Sequence, residues 1–489
     1  MVKSNLDEAL KASERQEPKE MKDQWIKRGK RVFPIMLLFI VLFTGAGKDV
    51  YATEVNSQEE GSQEEGTPEE ELTDEEKKAK ELQEIYDMPV QTNELEGWPQ
   101  GPGTYGDAAI VMEAGTGSIL YAKNIDKHEY PASITKVLTA LVALENGGME
   151  DPVVFSHDCV SFLQPGDSSV GLKEGDEITL EQALYATLLA SANEAAYAVG
   201  ENVGKNAGHD YNWFLEQMNV QCKELGGENS NFVNTNGLHA PDHYTCARDM
   251  ALIGSELFNF PEFFQIVQTH QYEIPASATC EEHIFQQKHK MLDPNNSNYY
   301  EYAVGGKTGY TSDALNTLIT MADNGETQLV CVVLRSQSGH HYTDTRNLFD
   351  YAYQNFTKTP VAGNETSEDV GEILEEEGTG YVMLPKDLQF SDLDMEIVPD
   401  GRNNGQATLN YTYEGNLVGT ARARLSDSYI EDHTAKIQEL SSEEQGESGR
   451  STVEKIILCI ACIVLAVLIT IFVRMILRRR RRRIRQKRS

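Results

Sequence analysis

The rhythm of apolar and polar positions changes several times along the chain, and each change marks an element. Ala108–Met112 and Ile119–Ala122 are short apolar runs separated by Gly115-Thr-Gly-Ser118, the pattern of a β-hairpin. From Pro131 to Glu145 apolar residues recur at helical spacing, which predicts a helix starting at Pro131 or Ala132. Leu180–Val199, Tyr211–Leu225 and Thr245–Phe258 read as further helices. Thr317–Met321 and Leu329–Leu334 are strand-like and enclose Asp323-Asn-Gly325, a second hairpin signal. Strands at both ends with helices between them predict an α+β domain, in which one antiparallel sheet built from both ends is flanked by helices.

After Thr359 the pattern is different. An acidic stretch, Glu365–Glu377, reads as a boundary. Beyond it Tyr381–Leu384, Met395–Val398, Ala407–Tyr413 and Leu417–Ala423 alternate apolar and polar residues between turn residues, as a small all-β module does. The expected layout is a catalytic-type domain over 96–358 and a β-rich domain over 370–428. Glu54 to about Glu84 holds too few large apolar residues to offset chain entropy, so 53–95 is expected to be an acidic disordered spacer, helical at most near its end. A polar stalk is expected over 429–455.

Two further apolar segments bear on topology. Val32–Ala46 follows Lys27, Arg28, Lys30 and Arg31 and precedes Val50-Tyr-Ala52, the small-residue form of a signal-peptidase site. Residues 1–52 therefore read as a cytoplasmic leader and signal peptide, with an uncleaved anchor as the alternative. Ile456–Val473 is long enough to cross a bilayer and runs into Arg474 and Arg478–Arg483, so 456–477 is expected to be a transmembrane helix and 478–489 a basic cytoplasmic tail. Both signals place residues 53–453 outside the cell.

The chain has 489 residues and a formal net charge of -34, with its basic residues concentrated at the two ends. The acidic centre repels nucleic acid, which excludes a nucleic-acid role. Of seven cysteines, Cys459 and Cys462 lie in the predicted span; Cys159, Cys222, Cys246, Cys280 and Cys331 show no C-x-x-C spacing and read as small buried hydrophobes. His239, His243 and His340 are too irregularly spaced to be read as zinc ligands, and no P-loop or dinucleotide fingerprint is present, so no metal and no cofactor is expected.

Three short motifs carry reactive side chains: Ser133-Ile-Thr-Lys136, Ser191-Ala-Asn193 and Lys307-Thr-Gly309. Each alone is common; their joint occurrence in this order is informative. Residues three apart share a helix face, so Ser133 and Lys136 are expected to be neighbours. A serine hydroxyl needs a base to become nucleophilic, and a lysine serves only if burial or a second cation lowers its pKa. Ala132, Val137, Leu138 and Leu141 supply apolar surroundings for such a lysine. The backbone N–H of Ser133, near a helix start, is a candidate oxyanion donor. Ser191 offers a hydroxyl for proton relay, and Asn193 a donor and an acceptor for a peptide-like substrate; the alternative for this motif is a cap or turn. Lys307, on an edge strand, would supply the second cation, the alternative being a solvated lysine. Thr308 can bond a substrate carboxylate, Gly309 lets a substrate backbone approach, and the N–H of Tyr310 is a second oxyanion donor.

Together the three motifs resemble the signature of penicillin-binding proteins and serine β-lactamases. Glu96-Gly-Trp-Pro-Gln100, Tyr130-Pro-Ala-Ser-Ile-Thr-Lys136, Asn236-Gly-Leu-His239, His243-Tyr-Thr-Cys-Ala-Arg-Asp-Met250 and Val304-Gly-Gly-Lys-Thr-Gly-Tyr-Thr311 extend the resemblance to the low-molecular-weight D-alanyl-D-alanine carboxypeptidases, over about residues 98–355 and more weakly to about 425. The resemblance implies a β-lactamase/transpeptidase-like fold with a helical subdomain and a cell-wall pentapeptide substrate ending in D-Ala-D-Ala. It also implies inhibition by β-lactam antibiotics, so the expected partners are peptidoglycan stem peptides and those antibiotics, to which the apolar span adds the cytoplasmic membrane. It makes Ser133 the acylated nucleophile, Lys136 the general base, and Ser191 and Lys307 proton relays. Asn193 would hold the substrate amide and Thr308 its terminal carboxylate. Arg248 matches a family arginine that assists with charge, an ion pair with a nearby carboxylate being the alternative. His341 stands where relatives often carry an arginine near the carboxylate pocket, which would make anchoring pH-dependent.

Three other functions compete. A class A β-lactamase needs a Glu with an Asn four residues on, whereas Glu228 is followed at that distance by Phe232. A D,D-endopeptidase shares all three motifs. A catalytically silent wall-binding scaffold has no need of a lysine beside its serine.

Overall fold

The computed structural model describes residues 73–337, 339–374, 380–400 and 405–433. The apolar segments 32–46 and 456–473 lie outside these residues, as do the leader, the stalk beyond His433 and the basic tail. Among the described residues no helix is long and apolar enough to cross a membrane.

The described part of the expected spacer begins at Thr73 and is helical from Asp74. Helix α1 (Asp74–Tyr86) is started by a capping box in which Thr73 Oγ1 accepts from Glu76 N–H and Glu76 accepts in return from Thr73 N–H at 2.8 Å. Its last turn is tied to the body of the protein, because Lys123 Nζ donates to Ile85 O at 2.6 Å. A helix near the end of the spacer was the alternative to disorder there, and the cap and this long-range bond are what hold it over residues 74–86.

Strands β1 (Gly106–Glu113) and β2 (Ile119–Lys123) are buried throughout. They join β7 (Ala303–Thr311), β8 (Leu315–Asp323) and β9 (Gln328–Ser336) in one sheet of order β2-β1-β9-β8-β7, with β1–β9, β9–β8 and β8–β7 antiparallel. Two further pairs, β3 (Pro152–Val154) with β4 (Glu177–Thr179) and β5 (Gln271–Ile274) with β6 (His283–Gln286), form small hairpin-like sheets.

The central strands read as continuous apolar runs because both faces are covered. On β9, Val330 lies beneath Gly254 of helix α7 (Ala247–Glu256), where an added β-carbon would meet Val330 Cγ1 at 2.8 Å. Its neighbour Cys331 faces Thr345 on helix α9 (His340–Asn355). Successive strand residues face opposite sides, so α7 and α9 sandwich the sheet. Asp344 of α9 also fixes the start of β1, accepting from the N–H groups of Tyr105 and Gly106 at 2.9 Å each.

The remaining helices are α2 (Thr135–Asn146), α3 (His157–Ser161), α4 (Leu180–Leu188), α5 (Asn193–Asn206), α6 (Tyr211–Glu224) and α8 (Pro261–Val267). Two differences from the sequence reading matter for the site. The Pro131 segment opens as a 3-10 turn, Ala132–Ile134, and becomes α-helical only at Thr135. The long apolar run Leu180–Val199 is broken into α4 and α5 at residues 189–192, with Ser191 in the left-handed region at φ 64.

The second unit comprises residues from Asn355 onward together with Gly97–Pro99 and Gly115–Leu120. Its sheet contains β10 (Phe356–Pro360), β11 (Val370–Leu374), β12 (Tyr381–Pro385), β13 (Asp394–Pro399), β14 (Gln406–Tyr413) and β15 (Asn416–Leu425). The order is β10-β12-β15-β14-β13, and β11 pairs with β15. In β14 the buried positions Ala407, Leu409 and Tyr411 alternate with half-buried ones, the period-2 signal of a half-covered strand. Strand β11 lies within the acidic stretch expected to be a boundary. Trp98, expected to open the first domain, belongs to this second unit: its ring packs against Phe356 and Tyr413, and its indole N–H donates to Leu120 O at 3.2 Å.

Candidate active site

The turn carrying Ser133 is held in an uncommon shape. Ala132, just before it, has φ 50, a backbone conformation that costs a non-glycine residue about 1 kcal/mol or more. Three hydroxyl and imidazole contacts hold it there. Thr317 Oγ1 of β8 donates to Pro131 O at 2.7 Å, and Thr135 Oγ1 donates to Ala132 O at 2.9 Å. His243 stands 2.9 Å behind Thr135, its Nε2 facing Oγ1, while its Nδ1 accepts from Val233 N–H at 3.1 Å. With Nδ1 accepting, Nε2 carries the proton and donates to Thr135, whose own proton is then free for Ala132 O. Burial lowers His243 to about 4, which keeps the ring in this neutral state at ordinary pH.

Two glycines let other segments close on the turn. A β-carbon at Gly237, which has φ +82, would sit 1.8 Å from Ala132 O and 3.0 Å from Ser133 N. One at Gly309 would sit 2.9 Å from Ser133 N and 2.3 Å from Thr317 Oγ1. Gly309 therefore brings strand β7 against the nucleophile's own amide; the sequence reading had reserved that space for a substrate backbone.

Lys136 follows on the first turn of α2 and is wholly buried. Its Nζ has three polar neighbours: Ser133 Oγ at 3.0 Å, Asn193 Oδ1 at 2.8 Å and Asn236 O at 2.5 Å. The last two are carbonyl oxygens and accept only, so they take two N–H groups. A neutral amine has two N–H groups and one lone pair, and the third neighbour is a hydroxyl able to donate to that lone pair. Electrostatics agree: burial, with Lys307 and Lys288 nearby, holds Lys136 well below the ordinary lysine range, against smaller opposing pulls from Glu194 and Asp167.

Lys307 is also buried, on the edge strand β7, and donates from Nζ to Thr308 O at 2.9 Å. Burial, reinforced by Lys288, brings it down to about 7. Lys288 itself is lowered by burial, and its Nζ donates to Ala190 O at the α4–α5 break. That break is further pinned by Ser168, whose Oγ donates to Ala190 O at 3.2 Å and whose carbonyl accepts from Asn193 N–H at 2.8 Å. Next to Asn193, the buried carboxylate of Glu194 holds the 169–171 loop, accepting from Ser169 Oγ and Val170 N–H at 2.7 Å each and from Gly171 N–H at 3.1 Å.

The structure thus brings Ser133, Lys136 and Asn193 into direct contact and sets Lys307 and Gly309 beside them. Ser191 lies buried at the break two residues before Asn193, Thr308 is half-buried, and the Tyr310 side chain is exposed. Asn193 spends its carbonyl on Lys136, which leaves its Nδ2 for a ligand.

Two expectations need correcting. Arg248 makes a two-pronged ion pair with Asp126, Nε–Oδ1 2.6 Å and Nη2–Oδ2 2.9 Å, which is the ion-pair alternative. His341 is buried and lowered to about 4, chiefly by burial, so it is neutral near pH 7 and gives no pH dependence there. The sequence reading missed Lys288, Glu194, Asn236 O and the His243–Thr135 pair. Asn236 and His243 lie in stretches that carried the resemblance; a glutamate beside an alanine-rich apolar run was the one local signal for Glu194.

Fold and site together define a buried serine–lysine pair beside the edge strand of an α+β domain. Residues 99–338 match the model of the D-alanyl-D-alanine carboxypeptidase peptidase family. Among relatives, D-alanyl-D-alanine carboxypeptidase DacB2 of Mycobacterium tuberculosis is 30% identical over 261 residues, covering 52% of this chain and 84% of that protein. DacF of Bacillus subtilis is 30% identical over 261 residues, covering 52% of this chain and 64% of that protein. DacA of Haemophilus influenzae is 29% identical over 271 residues, and 65% of it is covered, so the chain spans just under two-thirds of the length of these last two relatives. The solved Streptomyces K15 DD-transpeptidase aligns with a TM-score of 0.48 at 26% identity, covering 52% of this chain and 100% of that one. The chain belongs to the D-alanyl-D-alanine carboxypeptidase family.

Proposed function

We propose that this protein is a serine D,D-carboxypeptidase that removes the terminal D-Ala of peptidoglycan pentapeptides through an acyl-enzyme on Ser133, and that β-lactams block it by acylating the same oxygen. The observation that carries this reading is the environment of Lys136 Nζ: two carbonyls occupy its N–H groups and Ser133 Oγ lies at 3.0 Å on the remaining side. In the first step the free amine takes the Ser133 proton as Oγ attacks the D-Ala-D-Ala carbonyl. The N–H groups of Ser133 and Tyr310 receive the oxyanion. Asn193 Nδ2 holds the acyl-side amide, while Thr308 and the Lys307 ammonium hold the terminal carboxylate. The proton then returns to the leaving D-Ala nitrogen, directly or through Ser191, and water releases the shortened peptide by the reverse proton path.

A D,D-endopeptidase also cleaves bonds after D-Ala, and the product distinguishes the two activities. Free D-alanine released from pentapeptide monomers by the full-length protein, without splitting of cross-linked dimers, supports the carboxypeptidase. Fluorescent penicillin should label the wild-type protein and leave Ser133→Ala unlabelled. An unlabelled wild type would leave the silent-scaffold reading standing, and sustained nitrocefin turnover would favour a β-lactamase.

A pH prediction follows from Lys307. It holds its charge below about 7 and loses it above, whereas Lys136 must be neutral to act. For a carboxylate-ended substrate kcat/KM should therefore fall on the alkaline side from near pH 7, with any acid limb set by protonation of Lys136. Lys307→Gln should flatten the alkaline limb; an unchanged limb would remove Lys307 from carboxylate binding.

The same proposal places residues 53–453 on the outer side of the cytoplasmic membrane, exported by the 32–46 segment and held by a span at 456–477. The flanking Lys27, Arg28, Lys30 and Arg31 and the Arg478–Arg483 run support that orientation. Protease accessibility in intact cells tests it, with the central region cut and a C-terminal tag protected.

A further inference from the structure

Away from Ser133, two segments far apart in the chain bring together a carboxylate, a thiol and an imidazole. Asp176 sits in the turn entering β4, while Cys280 and His283 lie at the tip and on the return strand of the β5–β6 hairpin. One ligand atom from each of the three lies within 4.8 Å of the others.

The meeting is held by backbone, so it does not depend on flexible side chains finding one another. Glu177 N–H donates to Thr279 O at 3.3 Å, and Thr279 Oγ1 donates to Glu177 O at 3.2 Å. Ser277 closes the hairpin tip, donating from its N–H to Cys280 O at 2.8 Å and accepting on Oγ from Cys280 N–H at 3.0 Å. Asp176 is oriented by Lys173 N–H, which donates to Oδ2 at 2.7 Å.

One atom in this cluster is unexplained by the protein alone. His283 Nε2 is buried and has no hydrogen-bond partner, a situation that costs roughly 1–3 kcal/mol and is uncommon among native polar atoms. An unpartnered imidazole nitrogen beside a thiol and a carboxylate is the arrangement a metal ion resolves. The donor set narrows the metal. Sulfur and imidazole ligands disfavour magnesium and calcium, which take oxygen, and suit zinc. Tetrahedral zinc, with bonds of about 2.0–2.3 Å, places its ligand atoms roughly 3.3–3.8 Å apart, so closure needs only a modest contraction of the three side chains.

We propose that Asp176, Cys280 and His283 bind one zinc-class divalent cation, with the fourth position left to water because Asp176 and His283 are only half-buried. Binding releases the thiol proton to solvent and changes no oxidation state. The ion clamps the segment before α4 to the β5–β6 hairpin. Those two segments lead on to the Ser191 break and to Lys288, which already meet through Ala190 O. The site is thus a structural staple for the segments that lead to Ser191 and Lys288, and it stands whether or not the proposed reaction is correct.

The test uses the full-length protein without a polyhistidine tag. Cobalt(II) added to the metal-free protein should produce an intense thiolate-to-cobalt absorption in the near ultraviolet that zinc abolishes, and zinc should raise the midpoint of thermal unfolding. Cys280→Ser should remove the absorption, and His283→Gln should weaken cobalt binding by more than about 100-fold, the upper end of what losing even a supporting partner does. Circular dichroism of both metal-free variants checks that they fold, and Asp176→Asn serves as a third variant if either does not. No thiolate absorption in the wild type, or an absorption that survives Cys280→Ser, overturns the proposal.

Discussion

Lys136→Met is expected to slow acylation of Ser133 by a β-lactam by about 10²–10⁴-fold, the range a positioned general base contributes, while leaving the protein folded. Methionine is unbranched and close to lysine in length, so it fills the same wholly buried channel. It leaves Asn193 Oδ1 and Asn236 O without a donor, which costs about 1–3 kcal/mol each. Against that stands the removal of an amine whose folded-state pKa lies far below its unfolded one. The sign follows from proton linkage. Between the two pKa values the unfolded chain binds more protons, so wild-type stability rises with pH through that interval. The interval runs from about 7 for Lys307, and from a value well below the ordinary lysine range for Lys136, up to the ordinary lysine value of about 10.4. Lys136→Met should lose its share of that slope. Urea unfolding at pH 7 and pH 9 measures the slope, and stopped-flow acylation measures the rate. A variant acylated at nearly the parental rate would show that another group takes the proton.

The second large effect is expected from a residue with no functional group. Gly237→Ala should reduce acylation by at least about 10²-fold, the loss that follows a displacement of order 1 Å at a reacting centre. Its new methyl would stand 1.8 Å from Ala132 O, and the backbone at φ +82 does not suit alanine. Relief requires moving either the Ala132–Ser133 turn or the Asn236 carbonyl that holds Lys136, and both moves separate Oγ from Nζ. Gly208→Ala is the control. It has a similar φ of +83 with nothing within 4 Å of an added β-carbon, so it carries the conformational cost without the clash. Acylation should be unchanged in Gly208→Ala; equal losses in the two variants would mean that backbone strain alone is responsible.

How much of this could be read from the chain depends on the range of the interaction. Ser133 and Lys136 are three residues apart, and the local geometry of a helix start brings them together, so their pairing was legible. So was the hairpin formed by β8 and β9, whose turn residues and apolar runs are contiguous. The break at Ser191 was not, because Leu180–Val199 keeps a helical apolar rhythm; what stops the helix is packing from Ser168 and Lys288, remote in sequence. For residues 74–86 composition left disorder and helix both open; the capping box is a local sequence signal, whereas the Lys123 contact at the helix end is remote in sequence. Arg248 was placed by resemblance to a motif, whereas its partner Asp126 lies 122 positions away in the chain. The Asp176–Cys280–His283 cluster had a local trace in the C-x-x-H spacing of its last two members; only the fold supplies the third.

The central claim is that the Ser133 oxygen, facing a neutral Lys136, is the atom that becomes acylated. Intact-mass measurement of the full-length protein after β-lactam treatment, followed by peptide mapping, tests it most directly. The account predicts one adduct with the mass of the whole β-lactam, located at Ser133 and absent from Ser133→Ala. An adduct at Ser191 or at any other residue, or none at all on the folded protein, would contradict it.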